Sequence, residues 1–116
     1  MTEQRDKSLV WLGDSRHCVR SFPGVARQRS GFELREVQRG KEPSNWKPMP
    51  NVGLGVREIR IQTGEEFRVL YVAKFAEAVY VLHAFEKKTQ QTAKHDIQLA
   101  ESRYRALVAQ RKRERR

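Results

Sequence analysis

The chain has 116 residues, enough for one modest hydrophobic core and too few for two, so we expect a single domain spanning residues 1–116. Its 24 Lys and Arg residues outnumber its 14 Asp and Glu residues, and the net charge of +10 favours polyanionic partners, above all nucleic acid. Its one cysteine, Cys18, excludes an internal disulfide, and no apolar run reaches the roughly 18 residues of a membrane span, so we expect a cytoplasmic protein with no membrane partner.

The first 40 residues predict one strand followed by two helices. Residues 1–7 are polar and are expected to be flexible, and the apolar run SLVWL, residues 8–12, predicts a strand. Asp14 can cap a first helix, SRHCVRSF, and Pro23 either stops this helix or begins the second. Gly40 is the natural residue to end the second helix. One face of that helix carries a stripe of apolar or small residues, Ala26, Ser30, Leu34 and Val37.

The middle of the chain predicts a long loop and then three strands. Residues 41–55, KEPSNWKPMPNVGLG, are dense in Pro, Gly, Asn and Ser and predict a connecting loop. Three strand-like runs follow at residues 56–63, 67–75 and 78–87. The turns between them are short, which indicates antiparallel hairpins and therefore a three-strand meander. The last two runs are apolar on both faces, as expected of central strands.

The end of the chain predicts a helix. Thr92 is a suitable N-cap, and a stripe formed by Ile97, Ala100, Tyr104 and Leu107 can lie on the sheet or on a partner. The basic run RKRERR, residues 111–116, is expected to be a flexible helix end. The predicted class is α+β, with an antiparallel sheet made of the meander and an N-terminal strand at its edge, two N-terminal helices and one C-terminal helix.

Cations within the predicted meander are the most informative feature for function. Arg60, Arg68, Lys74, Lys87 and Lys88 interrupt segments that otherwise favour burial. Burying an unpaired cation is costly, so these side chains are expected to reach a groove or an edge, where the two arginines beside the lysine pair would suit a phosphate. Spacing alone leaves an alternative open, in which these cations pair at the sheet rim with Glu58, Glu65, Glu66 and Glu86.

Other kinds of chemistry find little support in the sequence. It has no phosphate-binding glycine loop, nucleophile elbow or dense cluster with metal-ligand spacing, so no metal and no cofactor are expected. Cys18 is predicted to be a small buried side chain and not a metal ligand. His17, His83 and His95 are scattered, and each is expected to be hydrogen-bonded or exposed. Only His95 remains a candidate for function, because it is close in sequence to the lysine pair.

The segment VREIRIQTGEEFRVLYVAKFAEAVYVLHAFEKKTQQT resembles the HigB-like, phage-derived branch of the RelE/ParE toxin superfamily of type II toxin–antitoxin systems. The most specific pieces are VREIR, FRVLY and LHAFEKKTQ, and the resemblance extends from LVWLGDS through FELREVQRG and WKPMP to the last helix. It implies a small RelE-like fold, with helices on one side of a twisted antiparallel sheet. It also implies a helix-turn-helix antitoxin as partner in a hetero-oligomer, and cleavage of mRNA on the ribosome.

The resemblance assigns roles to individual residues. Arg68 matches the arginine of the family's aromatic-Arg motif, Arg60 matches a basic position on the preceding strand, and Lys87 with Lys88 matches the basic pair after the last strand. These four are the candidate catalytic residues of a metal-free, ribosome-dependent endoribonuclease. Arg68 is expected to stabilise the phosphate, and one of the two lysines to exchange protons. The candidate RNA-binding residues are Lys74, Phe85, Lys94 and His95.

The sequence departs from the family pattern in two places, and two other functions remain open. Phe67 stands where relatives often have Tyr, and no clear tyrosine follows Lys88, which leaves Phe85 to stack a base. A ParE-like toxin would act on DNA gyrase through the last helix and basic tail without cutting RNA. A non-toxic, phage-derived nucleic-acid-binding module would use the positive charge for salt-sensitive affinity alone.

Overall fold

A five-stranded mixed sheet lies at the centre of the computed structural model, which describes residues 6–115. In chain order the elements are β1 (Ser8–Trp11), α1 (Ser15–Arg20), α2 (Gly24–Gln38), β2 (Trp46–Pro48), β3 (Val56–Gln62), β4 (Glu66–Val72), β5 (Ala78–Glu86) and α3 (Lys94–Glu114). The α+β class and the antiparallel meander β3-β4-β5 are confirmed. Residues 1–5 and 116, which belong to the segments predicted to be flexible, lie outside the described residues.

The sheet differs from the prediction at its two edges, because its strand order is β1-β5-β4-β3-β2. β1 joins the meander as expected, but it runs parallel to β5, so the sheet is mixed and not wholly antiparallel. A parallel neighbour needs a long crossover, and the helices and strands between β1 and β5 supply it. At the other edge, β2 forms within the predicted loop and pairs antiparallel with β3. Pro48 is tolerated there because an edge strand can do without one ladder donor.

Helices cover both faces of the sheet, so the expectation of helices on one side is wrong. Val19 of α1, Leu34 of α2 and Phe22 of the connection between the two helices pack against one face. Ala100 and Leu107 of α3 pack against the other face. β4 and β5 are buried almost throughout, and a strand that is apolar on both faces needs a cover on each. We call the side covered by α3 the α3 face.

Local signals located the second helix well. The predicted stripe of α2 is buried along its whole length: Ala26, Ser30, Leu34 and Val37. Gly40 follows the helix with a φ of 85°, and its N–H donates to the carbonyl of Val37 at 3.0 Å. The N–H of Lys41 donates to the carbonyl of Glu36 at 3.0 Å, which completes the pair of hydrogen bonds that commonly closes a helix.

Of the two predicted N-caps, one is at the right position and one is wrong. Asp14 is the N-cap residue of α1, as predicted, but its side chain makes no capping hydrogen bond and its carboxylate instead accepts one from Nη2 of Arg103 at 2.6 Å. The last helix begins after Ala93 and not after Thr92, and Asp96 supplies the negative charge of its first turn. A tertiary partner, Arg103, therefore binds the carboxylate that a local pattern assigns to the start of α1.

The last helix is longer and better anchored than the basic run at its end suggests. It continues to Glu114, and Arg111 binds Glu77 through Nε at 2.8 Å. Closer to its start, Nη1 of Arg103 donates to the carbonyl of Leu82 at 2.8 Å, and the hydroxyl of Tyr104 donates to the carbonyl of Leu54 at 2.8 Å. None of the helices within residues 6–115 has the length and apolar character needed to cross a membrane.

Candidate functional site

The register of the meander brings the two predicted arginines together. Arg60 of β3 lies directly opposite Arg68 of β4, and Phe85 of β5 lies opposite Arg68 on the other side. Directly paired residues point to the same face of a sheet, and Phe85 belongs to the core under α3, so both arginines lie on the α3 face. The side chain of Arg68 is only 4% exposed, whereas that of Arg60 is 34% exposed. Two adjacent guanidinium groups require a nearby anion.

Glu58 is that anion. Its side chain is fully buried, and Oε1 lies 3.6 Å from Nε of Arg60, 3.5 Å from Nε of Arg68 and 4.0 Å from Nζ of Lys47. Neither carboxylate oxygen accepts a hydrogen bond from the described part of the chain, so these contacts act through charge. One negative charge among three positive charges leaves this end of the sheet electropositive.

Glu66 holds the outer side of Arg68. Nη2 of Arg68 donates to Oε1 of Glu66 at 3.0 Å, and Nη1 donates to the carbonyl of Phe67 at 3.0 Å. The hydrogen bond from Arg68 lowers the pKa of the Glu66 carboxyl below its ordinary value. The open alternative of rim pairing therefore holds for Glu58 and Glu66. Within residues 6–115, neither Glu65 nor Glu86 forms an ion pair.

The lysine pair lines an open groove beside Arg68. A shallow depression of about 330 Å³ is lined by Glu66, Arg68, Lys87, Lys88, Thr89 and Gln90. A second depression, of about 400 Å³, shares Lys87 and Gln90 and extends to Lys47 and to Ile97 of α3. We call the two depressions together the lysine groove. The N–H of Lys87 donates to the carbonyl of Glu66 at 2.7 Å, which fixes the end of β5 against the start of β4. The groove is thus lined by four cations, Lys47, Arg68, Lys87 and Lys88, and by one carboxylate, that of Glu66.

The other predicted RNA-binding residues do not line this groove. Lys74 follows the far end of β4, where Nζ donates to the hydroxyl of Tyr104 at 3.1 Å. Lys94 and His95 are exposed in the first turn of α3. Phe85 is 9% exposed and stacks on His83 with ring centroids 5.2 Å apart, so little of its ring surface is available to a base.

Sequence reasoning missed two members of the cluster. Alternation along β3 puts Glu58 on the same face as Arg60, but Glu58 was predicted only as one of several glutamates that could pair at the sheet rim, and its full burial was not predicted. That alternation was the available signal. Lys47 carried no signal, because it lies in a segment whose composition predicts a loop and whose pairing with β3 is tertiary.

Comparison with known proteins gives one family. The family model described as Phage derived protein Gp49-like (DUF891) matches residues 18–105 of the 116. The match includes α2, the whole meander and the start of α3, and it contains the four candidate catalytic residues. No curated protein matches the chain.

Proposed function

The chain belongs to the Gp49-like family of phage-derived proteins, and we propose that it is the toxin of a type II toxin–antitoxin system. In this proposal the chain is a ribosome-dependent endoribonuclease that cleaves mRNA and so inhibits translation. One observation carries the proposal: Arg60, Arg68, Lys87 and Lys88 converge at one end of the meander, beside an open groove. Several cations around a shallow depression suit the phosphodiester of a single-stranded RNA better than a small apolar ligand.

The lysine groove offers two kinds of cation to a phosphate. Lys88 is exposed and Lys87 is partly exposed, so both ammonium groups can reach a ligand in the groove. Arg68 is held from behind by Glu58, and a guanidinium fixed in this way presents its donors without further ordering. Glu66 is 38% exposed, so an incoming phosphate can displace its carboxylate from Arg68.

The proposed reaction is an internal transesterification. The ribose 2′-oxygen attacks the adjacent phosphorus, the bond from phosphorus to the 5′-oxygen breaks, and the products are a 2′,3′-cyclic phosphate and a 5′-hydroxyl. One of Lys87 and Lys88, reacting as the neutral amine, accepts the 2′ proton, and the other, reacting as the ammonium, protonates the leaving oxygen. Arg68, with Arg60 beside it on β3, stabilises the charge that develops on the phosphorane oxygens.

The proposed partners follow from the charge and from the family. A net charge of +10 supports docking to ribosomal RNA, where phosphate attraction needs no sequence-specific contact. A small helix-turn-helix antitoxin is proposed to neutralise the toxin in a hetero-oligomeric complex. The reaction takes place in the cytoplasm, where translating ribosomes present the mRNA.

A second candidate function is a toxin that binds DNA gyrase and does not cut RNA. The observation that favours it is the burial of Arg68 between Glu58 and Glu66, whose carboxylates balance its charge without any substrate. The contact surface would then be the exposed basic end of α3, which includes Lys112 and Arg113. Reversing these two charges would abolish toxicity in this case, whereas Arg68→Ala would not.

Induced expression in cells without the antitoxin tests the proposal. Arg68→Ala is expected to restore growth while the variant still forms a complex with the antitoxin. The control is Arg105→Ala, which removes an arginine whose side chain is 75% exposed on α3 and is expected to remain toxic. Toxicity that persists in Arg68→Ala removes Arg68 from the mechanism. Harmless expression of the unmodified chain leaves a non-toxic nucleic-acid-binding module.

A further inference from the structure

A second polar cluster lies where β5 extends past the end of β1. β1 accompanies β5 only as far as Val81, and the start of α1 packs beside the strand from that point. There Asp14 and Cys18 of the α1 region approach His83. Each of the three residues offers one ligand atom, and these atoms all lie within 4.8 Å of one another. Residues 14 and 18 are one helical turn apart, so both side chains face the strand together.

The imidazole of His83 has one ring nitrogen paired with a carboxylate and one with no partner among the described residues. The ring is buried, and its Nε2 lies 2.7 Å from Oδ1 of Asp96. Its Nδ1 has no hydrogen-bond partner among residues 6–115. Buried polar atoms are nearly always paired, so a free Nδ1 requires an explanation. A carboxylate on one nitrogen and a free lone pair on the other is the arrangement usual for a metal-binding histidine.

We propose that Asp14, Cys18 and His83 bind one divalent transition-metal ion of the Zn²⁺ type. A thiolate, an imidazole and a carboxylate form a mixed S, N and O donor set, which suits zinc and its analogue cobalt and disfavours magnesium and calcium. Asp14 binds Arg103 through Oδ1, which leaves its second carboxylate oxygen for the ion. Three protein ligands leave a fourth position for water on the solvent side, where Asp14 is exposed.

The expected role of this ion is to hold elements together. It would tie the start of α1 to β5, and through Asp96 it would orient the first turn of α3. His83 lies two positions along β5 from Phe85, which is opposite Arg68, and it does not line the lysine groove. The ion is therefore expected to raise the thermal stability of the chain, because any ligand that binds only the folded state does so.

Titration of the reduced, metal-free protein with Co²⁺ and Zn²⁺ tests the proposal. We expect one ion per chain by equilibrium dialysis, a near-ultraviolet absorption band from cysteine sulfur bound to Co²⁺, and a rise in Tm with Zn²⁺. Cys18→Ala should abolish the band, and Asp14→Asn, which changes only an exposed side chain, should weaken binding at least tenfold. Asp96→Asn should weaken it about 10–100-fold, the usual effect of changing the carboxylate that orients a metal-binding histidine.

The matched control is His17→Gln, because His17 lies on α1 beside Cys18 but outside the cluster. It should bind the ion as the unmodified chain does. Two results would overturn the proposal. One is the failure of both ions to bind at one per chain. The other is binding that is kept in His83→Gln.

Discussion

Glu58 is the residue on which the electrostatics of the candidate site depend. Its buried carboxylate lies within 4.0 Å of three cations, and two of them are the arginines of the proposed active site. We assign it the role of a positioning residue, since a fully buried side chain cannot touch RNA. Removing this carboxylate would leave like charges facing one another in a poorly solvated place. Burying charges without a counter-charge lowers the stability of the fold.

We predict that Glu58→Gln lowers the free energy of unfolding by about 3–5 kcal/mol, the usual cost of removing one partner from a buried ion pair. Urea denaturation followed by circular dichroism measures it. Glu101→Gln is the control, because Glu101 pairs with Arg105 on the surface of α3 and its loss should cost less than about 0.5 kcal/mol. Equal effects of the two substitutions would mean that Glu58 does not balance the cluster.

Glu66 is predicted to compete with phosphate for Arg68. Glu66→Gln keeps the shape of the side chain but weakens its hold on the guanidinium, so affinity for a short single-stranded RNA should rise several-fold, as measured by fluorescence anisotropy. Glu86→Gln removes the same charge from an exposed position at the end of β5 and controls for the general change in net charge. An equal gain in the two variants would show that the contact between Glu66 and Arg68 is not what limits binding.

The residues of the candidate site differ in how far the sequence could predict them. Alternation along β3 and a short turn to β4 were sufficient to expect Arg60 and Arg68 on one face. The residues that set the electrostatics around these arginines could not be predicted in the same way. Lys47 arrives through a tertiary strand pair, and His83 meets Asp14 and Cys18 from a distant part of the chain, so no sequence spacing records these contacts.

Helix α3 covers one face of the sheet, and its second half is fixed there by contacts of Arg111 and Glu77, which we call the polar anchor. Arg111 binds Glu77 at 2.8 Å and stacks over the ring of Phe75 at 3.7 Å, while the hydroxyl of Tyr80 donates to Glu77 at 2.8 Å. The hydrogen bond from Arg111 is the main cause that lowers the pKa of Glu77 from 4.5 to about 2.

This anchor predicts a specific dependence on pH. Because folding lowers the pKa of Glu77, its contribution to stability is fully present above pH 4.5 and is lost as the pH falls towards about 2. The difference in Tm between the unmodified chain and Glu77→Gln should therefore be constant from pH 7 to 5 and should narrow below 4.5. Thermal scans at several pH values measure it. A difference that stays unchanged down to pH 3 would contradict the role of the Glu77 carboxylate.

Element prediction succeeded where local pattern is decisive and failed where pairing is not local. The meander has alternating or doubly apolar runs and tight turns, so its strands were found to within a few residues. The sequence contains no local sign of the direction of β1, because a parallel pair depends on the path of the whole crossover. It gave none of β2 either, since three residues ending in Pro48 form a strand only because β3 is beside them.

At the scale of the whole molecule, the charge of +10 predicts RNA binding that weakens steeply with salt. Four phosphate contacts in and around the lysine groove should give a slope of about −3 when log affinity is plotted against log salt, at about −0.7 per contact for single strands. Arg68→Ala should reduce the slope by about 0.7. Arg27→Ala changes an exposed residue of α2, on the opposite face of the sheet, and should leave the slope unchanged.

The salt dependence of RNA affinity, measured for Lys74→Ala, also tests whether Lys74 contacts the bound RNA. This lysine lies near the far end of β4, so a reduced slope in Lys74→Ala would mean that RNA runs along the sheet beyond the groove. A slope unchanged by both Arg68→Ala and Lys74→Ala would contradict binding through the α3 face.

The proposed nuclease is tested most directly by mapping mRNA 5′ ends by primer extension after brief induction, with the unmodified chain and with Arg68→Ala, while translation runs and while it is blocked. We expect new 5′ ends that appear only with the unmodified chain and only while translation runs. New ends that persist in Arg68→Ala would contradict the proposed site, and new ends without translation would contradict ribosome dependence. Growth arrest with no new ends would contradict the nuclease and point to gyrase.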